Sequence, residues 1–179
     1  FDRFSMIYAH AQKNIGPAGV TVVVVKDELL KGAPGNLPGF LDYRTQISAH
    51  SIYNTPPVFS IYVVLLVTRW LRDEIGGLAA MDGINTRKAE TLYQALDDSK
   101  GFYTGRAARI DRSKMNVSFN LPTPALEAVF SASALAAGFS GLAGHRSIGG
   151  IRASLYNGLQ LPAVEELANF MADFRTRHR

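Results

Sequence analysis

Eleven residues, Ala9-His10-Ala11-Gln12-Lys13-Asn14-Ile15-Gly16-Pro17-Ala18-Gly19, constrain this chain more than any other stretch. Apolar Met6, Ile7 and Tyr8 precede them and a valine-rich run, residues 20–25, follows. Two apolar β-type runs joined through glycines and a proline read as strands on either side of a stiff turn. Gly16 and Gly19 lack a Cβ, so the backbone there can turn sharply or lie against a ligand. Lys13 stands at the mouth of this turn. A lysine that attacks an aldehyde must do so as the neutral amine, and desolvation or nearby positive charge favours that form. The apolar residues before it predict burial, so Schiff-base chemistry with an aldehyde cofactor is open to Lys13. A solvated lysine at a strand end fits the same spacing.

The chain has 179 residues, 47% hydrophobic and 19% charged, which suits one large or two small globular domains. It has no cysteine, which excludes disulfides, thiolate metal sites and a cysteine nucleophile. The net charge of +4 suits anionic ligands. Arg106, Arg109 and Arg112 recur every third residue, and Arg175, Arg177 and Arg179 end the chain. Both sets read as solvated faces; without interleaved aromatics they do not make a nucleic-acid surface. The first residues, Phe1-Asp2-Arg3, do not open a signal peptide. The longest apolar run, residues 58–67, is interrupted by Ser60 and bounded by Pro56-Pro57 and Arg69. It falls short of the roughly 20 residues of a membrane span, so it reads as a buried helix. The expectation is a cytoplasmic protein without membrane, metal or nucleic-acid partners.

The pattern is α/β. Residues 4–11 read as a buried strand, residues 20–25 as a second, and residues 26–30 as a short helical turn. Residues 31–50, rich in Gly and Pro, read as a long functional or mobile loop. Asn54-Thr55-Pro56-Pro57 reads as a helix start with Thr55 as N-cap, and the helix runs through Arg72. Gly76-Gly77 breaks it and sets a boundary between domains 1–76 and 77–179. A second helix covers residues 78–96, with Ile84, Lys88 and Thr91 or Leu92 on one face and Arg87 and Glu90 facing out. Met115, Val117, Phe119 and Leu121 alternate with polar residues, as do Ile151, Ala153 and Leu155, so each set predicts a strand with one covered face. Thr123-Pro124 opens a helix that stops before Gly138. Pro162 opens the last helix, whose Val164, Leu167, Phe170, Met171 and Phe174 form a core stripe. The second half is thus a small α+β layer, a sheet with helices on one face.

Several polar residues stand out. Asn54 and Thr55 precede a helix N-terminus, where free N–H groups and the dipole favour a phosphate; Thr55 as a plain cap fits equally. His145 and Arg146 lie in a glycine-flanked loop before a strand, a pair that suits anion binding or a plain surface loop. Arg152 faces away from Ile151 and Ala153 and needs a partner for its charge, which a nearby structural aspartate would supply. Gln12 adjoins Lys13. His10 reads as a satisfied core or interface histidine.

Three segments carry a resemblance. Gln12-Lys13-Asn14-Ile15-Gly16-Pro17-Ala18-Gly19 is similar to the cofactor-lysine motif of the phosphoserine aminotransferase family, in class V of the fold-type I enzymes dependent on pyridoxal phosphate. Tyr53-Asn54-Thr55-Pro56-Pro57 resembles that family's cofactor-phosphate segment. Gly144-His145-Arg146-Ser147-Ile148-Gly149-Gly150-Ile151-Arg152-Ala153-Ser154-Leu155-Tyr156-Asn157 resembles its substrate-anion segment. The three occur in the family's order, and the likeness runs from Phe1 to the last helix. His10 departs from the family's glycine, which puts the packing just before the lysine in question. Cysteine desulfurases share a similar lysine turn, but they resemble enzymes with a catalytic cysteine that this chain lacks.

The resemblance implies the C-terminal half of a protein about twice this length: residues 1–76 end the large cofactor-binding domain, and residues 77–179 form the small α+β domain. The aspartate that pairs with the pyridine nitrogen and the aromatic that stacks on the ring would lie upstream. It implies reversible transamination between phosphoserine and 2-oxoglutarate, giving 3-phosphohydroxypyruvate and glutamate, in serine biosynthesis; bacterial members also serve pyridoxine biosynthesis. Lys13 would bond pyridoxal 5'-phosphate and act as acid and base, with Gln12 beside it. Asn54 and Thr55 would reach the phosphate of a cofactor held by the partner subunit, which implies a homodimer with shared active sites. His145 and Arg146 would select the phosphate of phosphoserine, and Arg152 would grip its α-carboxylate. The alternatives are another class V aminotransferase, or a non-catalytic dimerising half without the upstream cofactor residues.

Overall fold

The glycine–proline turn closes an antiparallel ribbon. In the computed structural model, which describes residues 2–178, strand β1 (Met6–His10) pairs with β2 (Thr21–Val25), Met6 opposite Val25 and His10 opposite Thr21. The helical turn expected after β2 is α1 (Asp27–Lys31). The expected loop has structure of its own. A 3₁₀ turn at Gly39–Leu41 leads into α2 (Tyr43–Ser48). Asp42 caps α2 by accepting the Arg44 N–H at 2.9 Å, and the Arg44 guanidinium reaches back to the Pro34 carbonyl at 2.7 Å. A local acid–arginine clasp orders this glycine-rich segment.

Helix α3 (Val58–Asp73) starts later than expected. Pro57 is its N-cap residue, not Thr55, and no side chain caps it. Two successive prolines hold residues 55 and 56 out of the helical region, which puts Thr55 too far upstream to cap. The expected burial of this half is also overturned. None of the residues of α3 is buried, and Ile7 and Tyr8 of β1 are exposed. A single two-stranded ribbon has too little surface to cover both of its own faces and a helix that is apolar on most sides. This first compact unit ends at Glu74, and a second begins at Ile75.

The second unit closes a core of its own. Helix α4 (Leu78–Asp97) is followed by β3 (Thr104–Gly105), β4 (Asn116–Asn120), α5 (Pro124–Ala136), β5 (Ala143–His145), β6 (Gly149–Ser154) and α6 (Leu161–Arg177). The strands form one antiparallel sheet in the order β3-β4-β6-β5. Thr123 caps α5 by accepting the Leu126 N–H at 3.2 Å, as its position before Pro124 predicts. The period-two alternation holds: Val117 and Phe119 of β4 and Ile151 and Ala153 of β6 are buried against Leu92 of α4, Phe130 of α5 and Met171 of α6. Burying one face of the sheet this way leaves Asn116, Ser118 and Arg152 on the other. The strand β5 was not evident from sequence, because its three residues are too few for a period.

Candidate active site

Backbone hydrogen bonds close the turn around Lys13. The Ala11 N–H donates to the Val20 carbonyl at 2.8 Å, and the Ala11 carbonyl accepts from Gly16 at 2.8 Å and Ile15 at 3.2 Å. The Lys13 N–H donates to the Gly16 carbonyl at 3.2 Å, and Gln12 bridges Gly16. Gly16 lies against α3 so closely that a Cβ would come 2.8 Å from Val64 Cγ2. The closed turn forces Lys13 to φ +111°, a region that costs a residue with a Cβ about 1–3 kcal/mol and that concentrates at functional sites. Gln12 and Lys13 are exposed in this chain, contrary to the expected burial, because β1 ends before the turn and nothing of the ribbon lies over it. The Lys13 backbone is held by the turn, and its amine is left without a carboxylate partner among the described residues. His10 is satisfied at an exposed position: its Nδ1 and Thr21 Oγ1 hydrogen-bond at 2.7 Å.

Asn54 and Thr55 are exposed residues four and three positions before the start of α3. The absence of a capping side chain leaves first-turn N–H groups of α3 available to an anion.

In the second unit, the uncovered face of the sheet forms the wall of a cleft of about 420 Å³, large enough for an amino-acid-sized ligand. Tyr93, Arg106, Ser118, His145 and Arg152 are among the residues that line it. Arg152 faces away from Ile151 and Ala153, as the alternation predicts. Its Nε is buried and has no hydrogen-bond partner, and among the described residues it makes no ion pair. Among the described residues no aspartate pairs with it, and a buried guanidinium N–H is left without an acceptor, which buried polar groups ordinarily have.

His145 is the last residue of β5 and opens the turn into β6, paired with Gly149. The Ser147 N–H donates to His145 Nδ1 at 3.3 Å, with Ser147 Oγ at 2.7 Å from the same nitrogen. An Nδ1 that accepts from a backbone N–H assigns the ring proton of the neutral imidazole to Nε2, so His145 presents a donor. Arg146 sits at the exposed tip of the turn and does not line the cleft. Gly144 is required here, since a Cβ would strike the carbonyls of Gly149 and Gly150. The structure therefore brings His145 and Arg152 to one cleft, while Gln12, Lys13, Asn54 and Thr55 belong to the first unit.

Two polar residues went unassigned in sequence. Arg106, read as part of a solvated face, lines the cleft. Lys88, expected only to share a face with Ile84 and Leu92, is fully buried and donates to the carbonyls of Leu155 (3.2 Å), Tyr156 (2.9 Å) and Leu159 (3.0 Å). Burial pulls its ammonium below the usual lysine range. The three acceptors of Lys88 are backbone carbonyls distant in sequence, and Arg106 pairs with the Asn120 side chain and the Ile148 carbonyl, partners that no local spacing reveals. Arg112 also leaves the solvated set: it pairs with Asp97 and stacks on the Tyr93 ring, 4.4 Å from its centroid.

Comparison with known proteins gives one consistent result. The chain is 52% identical over 175 residues to a phosphoserine aminotransferase of Geobacillus kaustophilus, covering 98% of this chain and 48% of that protein. The solved phosphoserine aminotransferase of Bacillus circulans subsp. alkalophilus superposes with a TM-score of 0.95 at 44% identity, over 99% of this chain and 49% of the other. The pyridoxal-phosphate-bound enzyme of Trichomonas vaginalis gives 0.88 at 36%, over 96% and 48%. The chain thus spans about half the length of the relatives it matches. The model of the family described as aminotransferase class-V matches residues 3–167, and the chain belongs to that family.

Proposed function

We propose that the protein to which this chain belongs is a phosphoserine aminotransferase of serine biosynthesis, using pyridoxal 5'-phosphate to exchange amino groups between phosphoserine and 2-oxoglutarate. The observation that carries this reading is Arg152, whose buried, unpartnered Nε lies in a cleft shared with the donor His145. Such a guanidinium suits a carboxylate. The residues fit the cofactor as well: Lys13 stands on a strained, hydrogen-bonded turn without a carboxylate partner among the described residues, and Asn54 and Thr55 lead into a helix without a capping side chain. Pyridoxal phosphate, when bound, supplies an aldehyde for the amine and a ring that accepts the electron pair from Cα.

In this reading Lys13 Nζ takes and returns the substrate's Cα proton. Arg152 holds the α-carboxylate, and His145 Nε2–H and Arg146 meet the phosphate. Gln12 flanks Lys13, and Asn54 and Thr55 hold the cofactor phosphate of a partner subunit in a homodimer. Exposed Tyr53, Val58 and Phe59 around Asn54 and Thr55 support a subunit contact there. Residues 1–76 end the larger domain and residues 77–179 form the smaller one. A cytoplasmic location and a second role in pyridoxine biosynthesis belong to the same proposal.

The test uses the intact protein loaded with pyridoxal phosphate. Lys13→Ala is expected to lose covalent retention of the cofactor after borohydride reduction and to lower turnover about 10²–10⁴-fold. A variant that keeps both removes Lys13 from the chemistry. Phosphoserine should be a far better amino donor than alanine; equal use of the two points to another class V aminotransferase.

A further inference from the structure

Arg106 is the middle of a hydrogen-bonded line that crosses the wall of the cleft. Its Nε donates to Asn120 Oδ1 at 2.7 Å, and its Nη2 donates to the Ile148 carbonyl at 2.9 Å. Asn120 is fixed from the other side, where its Nδ2 donates to Glu127 Oε1 at 2.6 Å. The same oxygen accepts the Leu121 N–H at 3.2 Å. The line therefore runs from α5 through β4 to the turn between β5 and β6. Gly150 makes room for it: a Cβ there would come 2.7 Å from Arg106 Nη2. The guanidinium lies directly on the glycine backbone.

The carbonyl that Arg106 grips belongs to the residue that closes the turn. The Ile148 N–H donates to the His145 carbonyl at 2.9 Å, so residues 145–148 form one tight loop. His145, Arg146, Ser147 and Ile148 are all exposed, and the core does not hold them. Besides the turn's own hydrogen bonds, it is held by the β5–β6 pairing at its base and by the Arg106 strut. An arginine suits this task because its planar fork serves two acceptors in fixed directions, which a single ammonium does not reproduce.

We propose that Arg106 is a positioning residue that determines specificity: it holds the 145–148 turn in the shape in which His145 and Arg146 meet a substrate phosphate. The proposal rests on the functional reading above and extends it to a residue that contacts neither cofactor nor carboxylate. Removing the strut frees the turn and weakens recognition of the phosphate.

The experiment compares kcat/KM for phosphoserine and for alanine in the intact, cofactor-loaded protein and in Arg106→Met, Arg106→Lys and Asn120→Ala. In Arg106→Met the phosphoserine-over-alanine ratio is expected to fall about tenfold or more, through KM for phosphoserine rather than kcat. Arg106→Lys should recover only part of the ratio. Asn120→Ala keeps the charge but frees it, and should shift the ratio in the same direction. A ratio in Arg106→Met within about twofold of the wild type overturns the proposal, as does full recovery in Arg106→Lys. An unchanged ratio in Asn120→Ala beside a fall in Arg106→Met overturns positioning in favour of direct charge. A wild type without preference for phosphoserine overturns the functional reading itself, so the two failures are told apart.

Discussion

Helices α3 and α6 have 16 and 17 residues, and they end in opposite surroundings. Helix α6 buries Val164, Leu167, Met171 and Phe174, one stripe at helical spacing, against a sheet whose residues alternate to receive it. Helix α3 carries Val58, Phe59, Ile61, Tyr62, Leu65 and Leu66 on one side and Val63, Val64 and Val67 on the other, and buries none of them. The difference does not lie in apolar content, which α3 has in excess. It lies in whether the same unit supplies a second layer. A helix that is apolar all round fits an element covered on more than one side, and a single ribbon covers at most one.

The comparison breaks if matched truncations cost the same in both units. Phe130 is fully buried, with the rings of Phe174 and Phe119 at 5.0 and 6.0 Å. Phe130→Ala should destabilise this chain by about 3–5 kcal/mol. Phe59 is 74% exposed, and Phe59→Ala should stay within about 0.5 kcal/mol. Urea unfolding of the chain measures both. A comparable loss at Phe59 would mean that α3 has a cover in solution that burial within this chain does not include.

The same contrast explains what could be read from sequence. The second unit was legible because its signals are local and mutually consistent: period two in β4 and β6, a Thr-Pro start to α5, a spaced stripe in α6. The turn around Lys13 was legible as a turn, since Gly16 and Gly19 permit a sharp bend and Pro17 fixes its own φ. The burial of β1 and α3 was not, because hydrophobicity reports a demand for cover and not its supply. Arg152 was placed on the correct face by alternation alone. Lys88 escaped assignment because its acceptors are backbone carbonyls about 70 residues away, and a carbonyl has no sequence signature; Arg106 did because its partners, the Asn120 side chain and the Ile148 carbonyl, lie on other elements.

The two lysines sharpen the contrast next. Lys88 is buried at the centre of three carbonyls that bind the end of β6 to the start of α6. Lys88→Met keeps the volume and removes the donor, leaving buried acceptors unpaired at about 1–3 kcal/mol. Lys13 is exposed and has no carboxylate partner among the described residues, so Lys13→Ala should leave the unfolding midpoint nearly unchanged while abolishing cofactor retention. The measurement is one denaturation series on both variants. A stable Lys88→Met would show that the turn at residues 155–159 finds other donors, water among them.

The smallest effect concerns acid. Asp97 accepts from Arg112 at 2.6 and 2.9 Å, and Arg109 lies 3.2 Å away; Asp42 in the first unit accepts from Arg44, two residues on. The arginine hydrogen bond holds each carboxyl below the usual aspartate value. A carboxyl with a lowered folded value binds fewer protons folded than unfolded. Its stabilisation is therefore fully present above the ordinary value of 3.8 and is lost as pH falls through the lowered one. Asp97 joins α4 to a segment 15 residues away, so its loss is felt by the unit's global unfolding. Asp42 caps only α2, so its loss is felt locally. Asp97→Asn should flatten the acid limb of the stability curve by about 1 kcal/mol or less, given that the carboxylate is 29% exposed. Asp42→Asn should leave that limb in place and speed amide exchange in residues 43–48. Guanidinium unfolding across about pH 2 to 5, with exchange read on the same samples, distinguishes them. An acid limb in Asp97→Asn that follows the wild type would show that the pair, though well aligned, is matched by water in the unfolded chain.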